Sequence, residues 1–541
     1  FEDEGAFSYI HLPYSLGFKK QKNLDFYNVK TSFTKLMYAN AISGHNFFSG
    51  VHAQHYKGMT AIVGLNGFLS AGTRADDFEN QSTNFFSLDA TIHYEIPSKI
   101  YGFKVSYILN RLKMGENGGL ADLRDTTLER FDYFYFLYPP KKHNPSDFLV
   151  ENSNAKSNII NHDLLFQQFV KLQVQNKDFN LGYIVHSFQY KSFNINYQNP
   201  WFKDSLGLTT FYPTDTLVDS LRFYSIVNTL QWSSFKPFAE LPNQKYFFHI
   251  AGGITHEYTQ NRYSRNQNNS FTLFARTAIR LFSVTDINVE FLYSFLGYLH
   301  NNATVKGEMK WAIKRSKEHY LGVTADYYRI SPDYFFTKYQ GVQYRWDTTL
   351  QKQNVMKLSA YWTYNKLYAS VNYFLLNRYL VLDENVKPYA TEGFSSIIQL
   401  QVFTPVKIKD FGFNTTLCLQ YSGNEYVPVP LFAGKATIYY IFRLVKKRLQ
   451  LQLGVDMMYN TYCGADAYVP SIHQYRHQKY VETGNYFYLG AYLNLKIKRV
   501  GIFLRLDNPL AGIVGNHYFT TPYYPMQGLK FSFGVTWRFY D

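Results

Sequence analysis

The stretch LKFSFGVTWRFYD spans Leu529–Asp541 and alternates large apolar side chains with small or polar ones. The apolar series is Leu529, Phe531, Phe533, Val535, Trp537 and Phe539. Because successive side chains of a strand point to opposite faces, this stretch predicts a strand with one apolar and one polar face. Its length and aromatic end are typical of a transmembrane β-strand, which needs about 9–11 tilted residues with aromatics at the interfaces.

The same alternation recurs along the chain, most regularly in Arg448–Tyr459 and Tyr486–Arg499. A soluble β-sandwich also buries apolar strand faces, but its strands usually have only about 5–6 residues. Charged residues in mid-strand need a water-filled lumen; they include Glu290, Asp326, Asp456, Lys496 and Arg505. The sequence therefore predicts an all-β fold, a single transmembrane antiparallel β-barrel of roughly 22 strands (range 18–24) with short periplasmic turns and long extracellular loops.

Composition is consistent with this fold. Of the 541 residues, 19% are aromatic, yet no apolar run is long enough for a transmembrane helix. The net charge of +15 is dispersed rather than gathered in Lys/Arg blocks, so the sequence predicts no nucleic-acid partner. Cys418 and Cys463 are too few for a disulfide scaffold and are expected to be unpaired.

The chain divides into two predicted parts. Residues 1–24 lack strand periodicity and are interpreted as an irregular pre-barrel segment, the remnant of a longer N-terminal part, lying in the lumen or on the periplasmic side. Residues 25–541 form the barrel. A long connection over Lys113–Asn161 either folds inward and narrows the pore or projects outward. A further strand is predicted over Tyr339–Thr348.

The strands flanking the long connections have predicted limits. They are Ile100–Leu112, His162–Gln173, Leu181–Lys191 and Leu221–Ser233.

The alternation assigns side chains to the two faces of the barrel. The lipid-facing candidates are Leu449, Leu451, Leu453, Leu489, Leu493, Leu495, Phe531, Phe533 and Val535. The lumen-facing candidates are Arg443, Arg448, Asp456, Lys496, Lys498, Arg505, Lys530, Arg538, Glu290 and Asp326, with Asp507 beside them. Basic residues exceed acidic ones in the lumen set, which favours anions in a pore.

Catalytic motifs are absent from the sequence. It contains no G-x-S-x-G, H-E-x-x-H or C-x-x-C motif, so no catalytic residue and no enzyme activity are predicted. His473 and His477 stand four residues apart, but no acidic or cysteine partner is close in sequence, and no metal or other cofactor is expected. Tyr488, Tyr492 and Phe503 would point inward and are interpreted as fillers of the wall rather than as a sugar track.

Several short motifs resemble a known family, the "putative porin" proteins of the Bacteroidota outer membrane. In chain order they are Phe26–Thr31, Asn117–Gly119, Asp219–Phe223, Tyr344–Asp347, Gly515–Phe519, Pro522–Met526, Phe531–Val535 and Trp537–Phe539. The resemblance spans nearly the whole chain from about Asp25 and implies a barrel in the bacterial outer membrane.

Fold and resemblance together favour a porin-like channel that passes small polar solutes by diffusion, with a weak preference for anions. The alternative is a non-transporting barrel subunit of a larger outer-membrane assembly or secretion complex. The expected partners are outer-membrane lipid and lipopolysaccharide, and other outer-membrane proteins or lipoproteins if the alternative holds.

Overall fold

The fold is taken from a computed structural model of the chain. It describes residues 17–24, 27, 29, 31–42, 44–70, 79–120, 150–173, 180–200, 217–236, 247–261, 266–314, 318–445, 448–511 and 519–540. Residues 1–16 of the predicted pre-barrel segment lie outside the described residues. Within the described ranges, no helix is long and apolar enough to cross a membrane.

A single antiparallel sheet of 22 strands makes up the barrel, as the sequence predicts. The first half comprises β1 Phe33–Ala41, β2 His45–Tyr56, β3 Met59–Ser70, β4 Thr83–Glu95, β5 Tyr101–Gly115, β6 Lys156–Gln173, β7 Asn180–Asn199, β8 Leu217–Ser233, β9 Phe247–Asn261, β10 Asn266–Leu281 and β11 Thr285–Leu296. The second half comprises β12 Ala303–Lys314, β13 His319–Ile330, β14 Gln353–Tyr364, β15 Leu367–Asn377, β16 Phe394–Ile408, β17 Phe411–Ser422, β18 Phe432–Leu444, β19 Leu449–Asn460, β20 Tyr486–Ile497, β21 Val500–Asp507 and β22 Lys530–Tyr540.

The sheet is closed because the last strand pairs with the first. Each strand pairs with its neighbours in sequence, and β22 returns to β1 with Tyr540 opposite Phe33 and Ser532 opposite Ala41. Because the sheet is closed, it has no edge strand with unpaired backbone groups. A lipid environment requires this, since it offers no hydrogen-bond partners to the backbone.

The two ends of the barrel differ in their connections. At one end the strands turn back tightly, as at residues 57–58, 365–366, 409–410 and 498–499, and β1 begins and β22 ends there. The other end carries longer connections, including residues 116–155, 331–352, 461–485 and 508–529. The predicted contrast of short turns and long loops is therefore confirmed.

Short secondary-structure elements lie outside the barrel sheet, in the long loops and ahead of β1. A short helix, α1, covers Tyr334–Thr337, and a 3-10 turn covers Gln21–Asn23 ahead of β1. Among the described residues, five two-stranded sheets pair Lys338–Gln340 with Arg345–Asp347, Leu380–Leu382 with Pro388–Ala390, Cys463–Gly464 with Glu482–Thr483, Ala467–Val469 with Gln474–Arg476, and Phe519–Thr521 with Tyr524–Pro525.

The predicted barrel strand over Tyr339–Thr348 is wrong. That stretch forms one of these two-stranded sheets, a loop hairpin that turns around Gly341. Its aromatic residues Tyr339 and Trp346 are buried and stack on each other at 4.9 Å instead of facing lipid. An apolar alternation of a few residues does not distinguish a membrane strand from a small buried hairpin.

Paired residues on neighbouring strands share a face, so register assigns the side chains to the two sides of the sheet. In β19 and β20 the pairs Leu451–Leu495 and Leu453–Leu493 lie on one face, and Gly454–Tyr492 lies on the other. The Tyr492 ring covers Gly454, and the Phe503 ring covers Gly534 in the same way. Inward aromatics therefore fill the wall beside glycines.

Strands β6, β7 and β8, with 18, 20 and 17 residues, are the longest of the 22 strands. In these strands and in β5, the apolar residues lie mainly on the outer face in the lower part, near the short turns, and mainly on the inner face towards the long-loop end. In β7, Phe193, Ile195 and Tyr197 are buried in the interior at the long-loop end, while Asn194 and Asn196 point outward. The predicted limits of these strands are too short, because backbone pairing continues to Gly115, Lys156, Asn199 and Leu217.

Candidate functional site: the lumen and its mouth

Charged side chains on the inner face form ordered ion pairs across strands. On β21, Arg505 lies 2.8 Å from Asp456 of β19 and 2.7 Å from Asp507. The hydroxyl groups of Thr437 and Tyr488 donate to these carboxylates, to Asp456 at 2.6 Å and to Asp507 at 2.7 Å. An arginine shared between two carboxylates is held in one position, so this part of the wall presents fixed charges.

A second charged group covers the inner face of β10–β12. Glu290 lies between Arg276 at 2.5 Å and Lys306 at 3.3 Å. Four residues further along β10 and β11, towards the short-turn end, Arg280 pairs with Asp286 at 2.5 Å. These side chains are partly exposed, so solvent reaches this wall of the lumen. Exposed pairs contribute little stability, and their main effect is the charge that they present.

Basic side chains gather on the inner face towards the short-turn end. Lys35 of β1 stands directly opposite Arg538 of β22. Lys496 of β20 also faces inward, paired with Gln450 of β19 and Gly501 of β21. Arg443 of β18 lies 2.6 Å from Asp410, in the turn between β16 and β17. Two basic residues in direct register raise the local positive potential.

Residues 17–24 lie inside the lumen against β4–β6 and are called the lumenal strap. The ammonium group of Lys19 pairs with Asp89, and the Lys19 backbone exchanges hydrogen bonds of 3.0 Å with the Asn110 side chain. Gln21 accepts from Ser106 at 2.6 Å and approaches Asp163 at 3.3 Å. The strap thereby satisfies polar groups that would otherwise line the pore.

Long loops converge on the upper inner face of β5–β8 to form a hydrophobic cluster called the mouth core. Its buried members are Phe18 of the strap, Leu112, Met114, Ile159, Phe193, Ile195 and Phe223 of the wall, and Leu299, Tyr334, Phe335, Tyr339, Trp346, Leu382, Val386, Val469 and Ile472 of the loops. Asp219 of β8 accepts the backbone N–H of Val342 at 2.6 Å, which ties the loop hairpin to the wall. The mouth is therefore narrowed by packed loops.

A buried polar node joins two of these loops. Glu116 follows β5 and accepts from Ser157 at 2.9 Å and from Tyr468 at 3.3 Å. His473 lies 2.7 Å from Ser157 Oγ and 3.5 Å from Glu116. Burial raises the pKa of Glu116 to about 8 and lowers the pKa of His473 to about 3, so both are neutral near pH 7.

His473 and His477 do not converge on a common site. His473 belongs to the Glu116 node, whereas His477 lies 3.3 Å from Asp466 and contacts the tilted ring of Tyr426, with 4.7 Å between the ring centroids. They occupy a hairpin and its following loop rather than a helix, so a four-residue spacing does not place them side by side. The two cysteines are free, as expected.

The structure places the lipid-facing candidates on the outer face. Register puts on this face Leu449, Leu451, Leu453, Leu489, Leu493, Leu495, Phe531, Phe533 and Val535. Of the lumen-facing candidates, the inner face carries Glu290, Asp326, Arg443, Asp456, Lys496, Arg505, Lys530 and Arg538. Asp507 is also on the inner face.

Two lumen-facing candidates are corrected. Arg448 lies in the turn between β18 and β19, and Lys498 lies in the turn between β20 and β21 with a φ of 50°. Alternation assigns faces only while the backbone stays extended, and in a turn the side chains leave the strand plane. Both residues belong to the short-turn rim rather than to the lumen wall.

Sequence reasoning missed the contacts that build the mouth. The Lys19–Asp89 pair joins residues 70 positions apart, and the Tyr468–Glu116 bond joins residues 352 positions apart. No local pattern signals either contact. The mouth core did leave a signal, because apolar residues change face within each of β5–β8.

Comparison with known proteins supports the geometry. The chain matches the family described as "Putative porin" over residues 5–541. No curated protein matches it.

Solved structures share the barrel at low sequence identity. The siderophore receptor PirA of Acinetobacter baumannii has a TM-score of 0.64 at 7% identity, covering 95% of this chain and 81% of its own. A variant of the ferric enterobactin receptor PfeA of Pseudomonas aeruginosa gives 0.63 at 11%, with 94% and 80% covered. The FrpB iron transporter of Neisseria meningitidis gives 0.62 at 10%, with 96% and 82% covered. At these identities the likeness describes the fold alone.

Proposed function

The chain belongs to the "putative porin" family and is an outer-membrane β-barrel protein, and we propose that it is a porin-like channel for passive diffusion of small polar solutes. It carries out no catalysis in this proposal. The solute passes along the charged inner wall of β10–β14 and β18–β22. The strap and the mouth core lie against the opposite wall, on the inner face of β4–β8.

The observation that carries the proposal is the solvent-accessible charge on this wall. The Arg276 side chain is 51% exposed and that of Arg443 42% exposed, although both lie on the inner face. Charged side chains inside a barrel are stable only in contact with water or with each other. Water along this wall provides a route for polar solutes, as in barrels with polar interiors.

A weak preference for anions follows from the basic end of the wall. Lys35, Arg538 and Lys496 lie on the inner face near the short-turn end, and Arg443 is offset by Asp410. Rings of Lys or Arg favour anions, and a narrow lumen with low-dielectric walls focuses the field. Salt screens this field with a Debye length of about 10 Å at 0.1 M, so the preference decreases as salt rises.

The alternative, a non-transporting barrel subunit of a larger outer-membrane assembly or secretion complex, rests on a different observation. The mouth core packs loops from several connections against the wall, and the strap adds Phe18 to the same cluster. A mouth filled in this way would also suit a barrel that serves as a scaffold.

Reversal potentials in a planar bilayer test the proposal. With a KCl gradient we expect conductance and a small reversal potential that favours Cl⁻. Lys35→Glu with Arg538→Glu should shift selectivity towards K⁺, whereas Lys409→Glu in a short turn should have little effect. A K⁺ preference in the unmodified protein would reject the basic wall as the selectivity element. A folded, reconstituted protein without conductance would favour the scaffold alternative.

A further inference from the structure

The outer surface of β5–β8 is unusually basic at the long-loop end. Arg111, Lys113, Lys156 and Arg222 are exposed, while their sequence neighbours Leu112, Met114, Ser157 and Phe223 are buried on the inside. These four cations therefore point away from the lumen. None of them has an ion-pair partner among the described residues.

Register arranges the cations in ordered rows. Arg111 and Arg222 lie on one row, separated by Ile160 and Asn194. Three strand spacings of about 4.8 Å put their backbones about 14 Å apart. The next row towards the loops runs through Asn84, Lys113, Asn158 and Asn196. The patch is thus a two-dimensional array of cations and amides on a rigid sheet.

Aromatic side chains border this patch on the membrane side. Tyr190 and Tyr224 lie 6.3 Å apart, Tyr224 and Tyr258 lie 6.0 Å apart, and Tyr107 is hydrogen-bonded to His162 at 2.8 Å. Outward-facing tyrosines mark the interface between hydrocarbon and headgroups. The cations therefore stand at the level of the headgroups of the outer leaflet.

Two cavities open on this surface. One of about 620 Å³ is lined by Lys113, Lys156, Asn158 and Asn196, among others. The side-chain oxygens of Asn158 and Asn196 are buried and accept no hydrogen bond from the residues that the structure describes. An adjoining cavity of about 560 Å³ is lined by Arg222, Asn194 and Gln260 with Tyr190 and Tyr224.

These features share one ligand chemistry. Unpaired buried acceptors are costly, and hydroxyl groups are suitable donors to them. Exposed Lys and Arg suit phosphate, and the fork of Arg suits it best. A ligand that carries both phosphates and sugar hydroxyls fits the set, and a ligand at headgroup level beside an aromatic border would also carry acyl chains.

We propose that the outer face of β5–β8 binds a phosphorylated glycolipid of the outer leaflet, of the lipopolysaccharide class. Lys113, Lys156, Arg111 and Arg222 contact its phosphates, and Asn158 and Asn196 accept hydrogen bonds from its sugar hydroxyls. The site lies on the outside of the barrel and does not depend on an open pore.

Binding of purified lipopolysaccharide to the full chain in detergent tests the site. The variant Lys113→Gln with Lys156→Gln should bind roughly tenfold or more weakly, because each basic residue at a membrane surface contributes to attraction. A matched control, Lys57→Gln with Lys366→Gln, removes the same charge from short turns at the opposite end and should bind like the unmodified protein. Equal loss in both variants, or loss in neither, would overturn the proposal.

Further measurements separate phosphate recognition from other causes. Asn158→Leu with Asn196→Leu removes the unpaired acceptors without changing charge, and weaker binding by this variant supports sugar recognition at the site. Unchanged binding of dephosphorylated lipopolysaccharide would refute the assigned role of the cations. Displacement of the lipid by a soluble phosphorylated disaccharide at equal concentration would refute a lipid as the natural occupant. Heat-modifiable migration on gels verifies that each variant is folded.

Discussion

Strands β5–β8 and strands β17–β20 belong to the same closed sheet, but they differ in height and in pattern. The first group has 15, 18, 20 and 17 residues, and the second has 12, 13, 12 and 12. The shorter strands keep one apolar outer face throughout. The taller strands keep it only in their lower part and then bury apolar residues inside, as Ile195 illustrates.

The difference shows how the surroundings set the pattern. A membrane strand needs about 9–11 residues, and over that height lipid is outside and water is inside. Above the hydrocarbon layer the outside is polar, made up of lipid headgroups and water, and packed loops occupy the inside of β5–β8. The apolar residues then belong on the inner face, since burial there removes them from water.

The largest expected effect comes from the upper part of a tall strand. Ile195→Ala should destabilise the mouth core by about 2–5 kcal/mol, because it opens a cavity among packed side chains. Asn194→Ala, on the outer face of the same strand, should change stability by less than about 0.5 kcal/mol. Hydrogen exchange of residues 193–197 measures both. Equal protection in the two variants would contradict the placement of the apolar residues on the inner face in the upper part of β7.

A loss of stability of similar size is expected in the short strand β19, where the sensitive residues lie on the outer face instead of the inner face. Leu451→Arg places a charge on the lipid face, which costs about 2–4 kcal/mol near the midplane, so the folded fraction should fall. Gln452→Arg places the same residue on the inner face and should be tolerated. Heat-modifiable migration after refolding quantifies the folded fraction. Equal yields would show that the faces of β19 are assigned wrongly.

An intermediate effect is expected at the strap, whose described residues contact the wall of β4–β6. Lys19→Met with Gln21→Leu removes the contacts with Asp89, Ser106 and Asp163. The strap should then leave the wall, and single-channel conductance should rise. The control variant Lys409→Met with Gln420→Leu makes the same kinds of substitution away from the strap, and its conductance should stay unchanged. An unchanged current in the strap variant would show that the strap does not narrow the path.

The smallest effect concerns pH at the mouth. Glu116 has its pKa raised from 4.5 to about 8, so the folded state favours its protonated form. Its contribution to stability is full below pH 4.5, declines as pH rises to about 8 and then levels off. His473 has its pKa lowered from 6.5 to about 3, so its contribution is full above pH 6.5 and declines as pH falls.

Protease protection of the loops should therefore be highest between about pH 4.5 and 6.5 and weaken towards pH 8. In Glu116→Gln the side chain stays neutral, so the loss towards pH 8 should disappear while the loss at acid pH remains. Limited proteolysis across this range gives the profile. A loss at pH 8 that persists in Glu116→Gln would mean that another group controls the mouth.

Much of the barrel could be predicted from local pattern. Alternation in Arg448–Tyr459 and Tyr486–Arg499 predicted two faces, and the register of β19 and β20 keeps each of the two sets on one face, because a strand's period of two is fixed by backbone geometry. The same rule misassigned Arg448 and Lys498, where the chain turns. It also shortened β6 and β7, because the environment outside the strand changes from hydrocarbon to polar surroundings partway along it.

The sequence by itself determined the fold class, the strand number near 22 and the polarity of the two faces, since each depends on residues that are close in the chain. Only the tertiary structure decided how the interior is filled. The strap on Asp89, the Glu116–His473 node and the mouth core join residues that are distant in sequence. Such contacts depend on where closure of the sheet brings each wall and loop, and the period of a single strand carries no information about that placement.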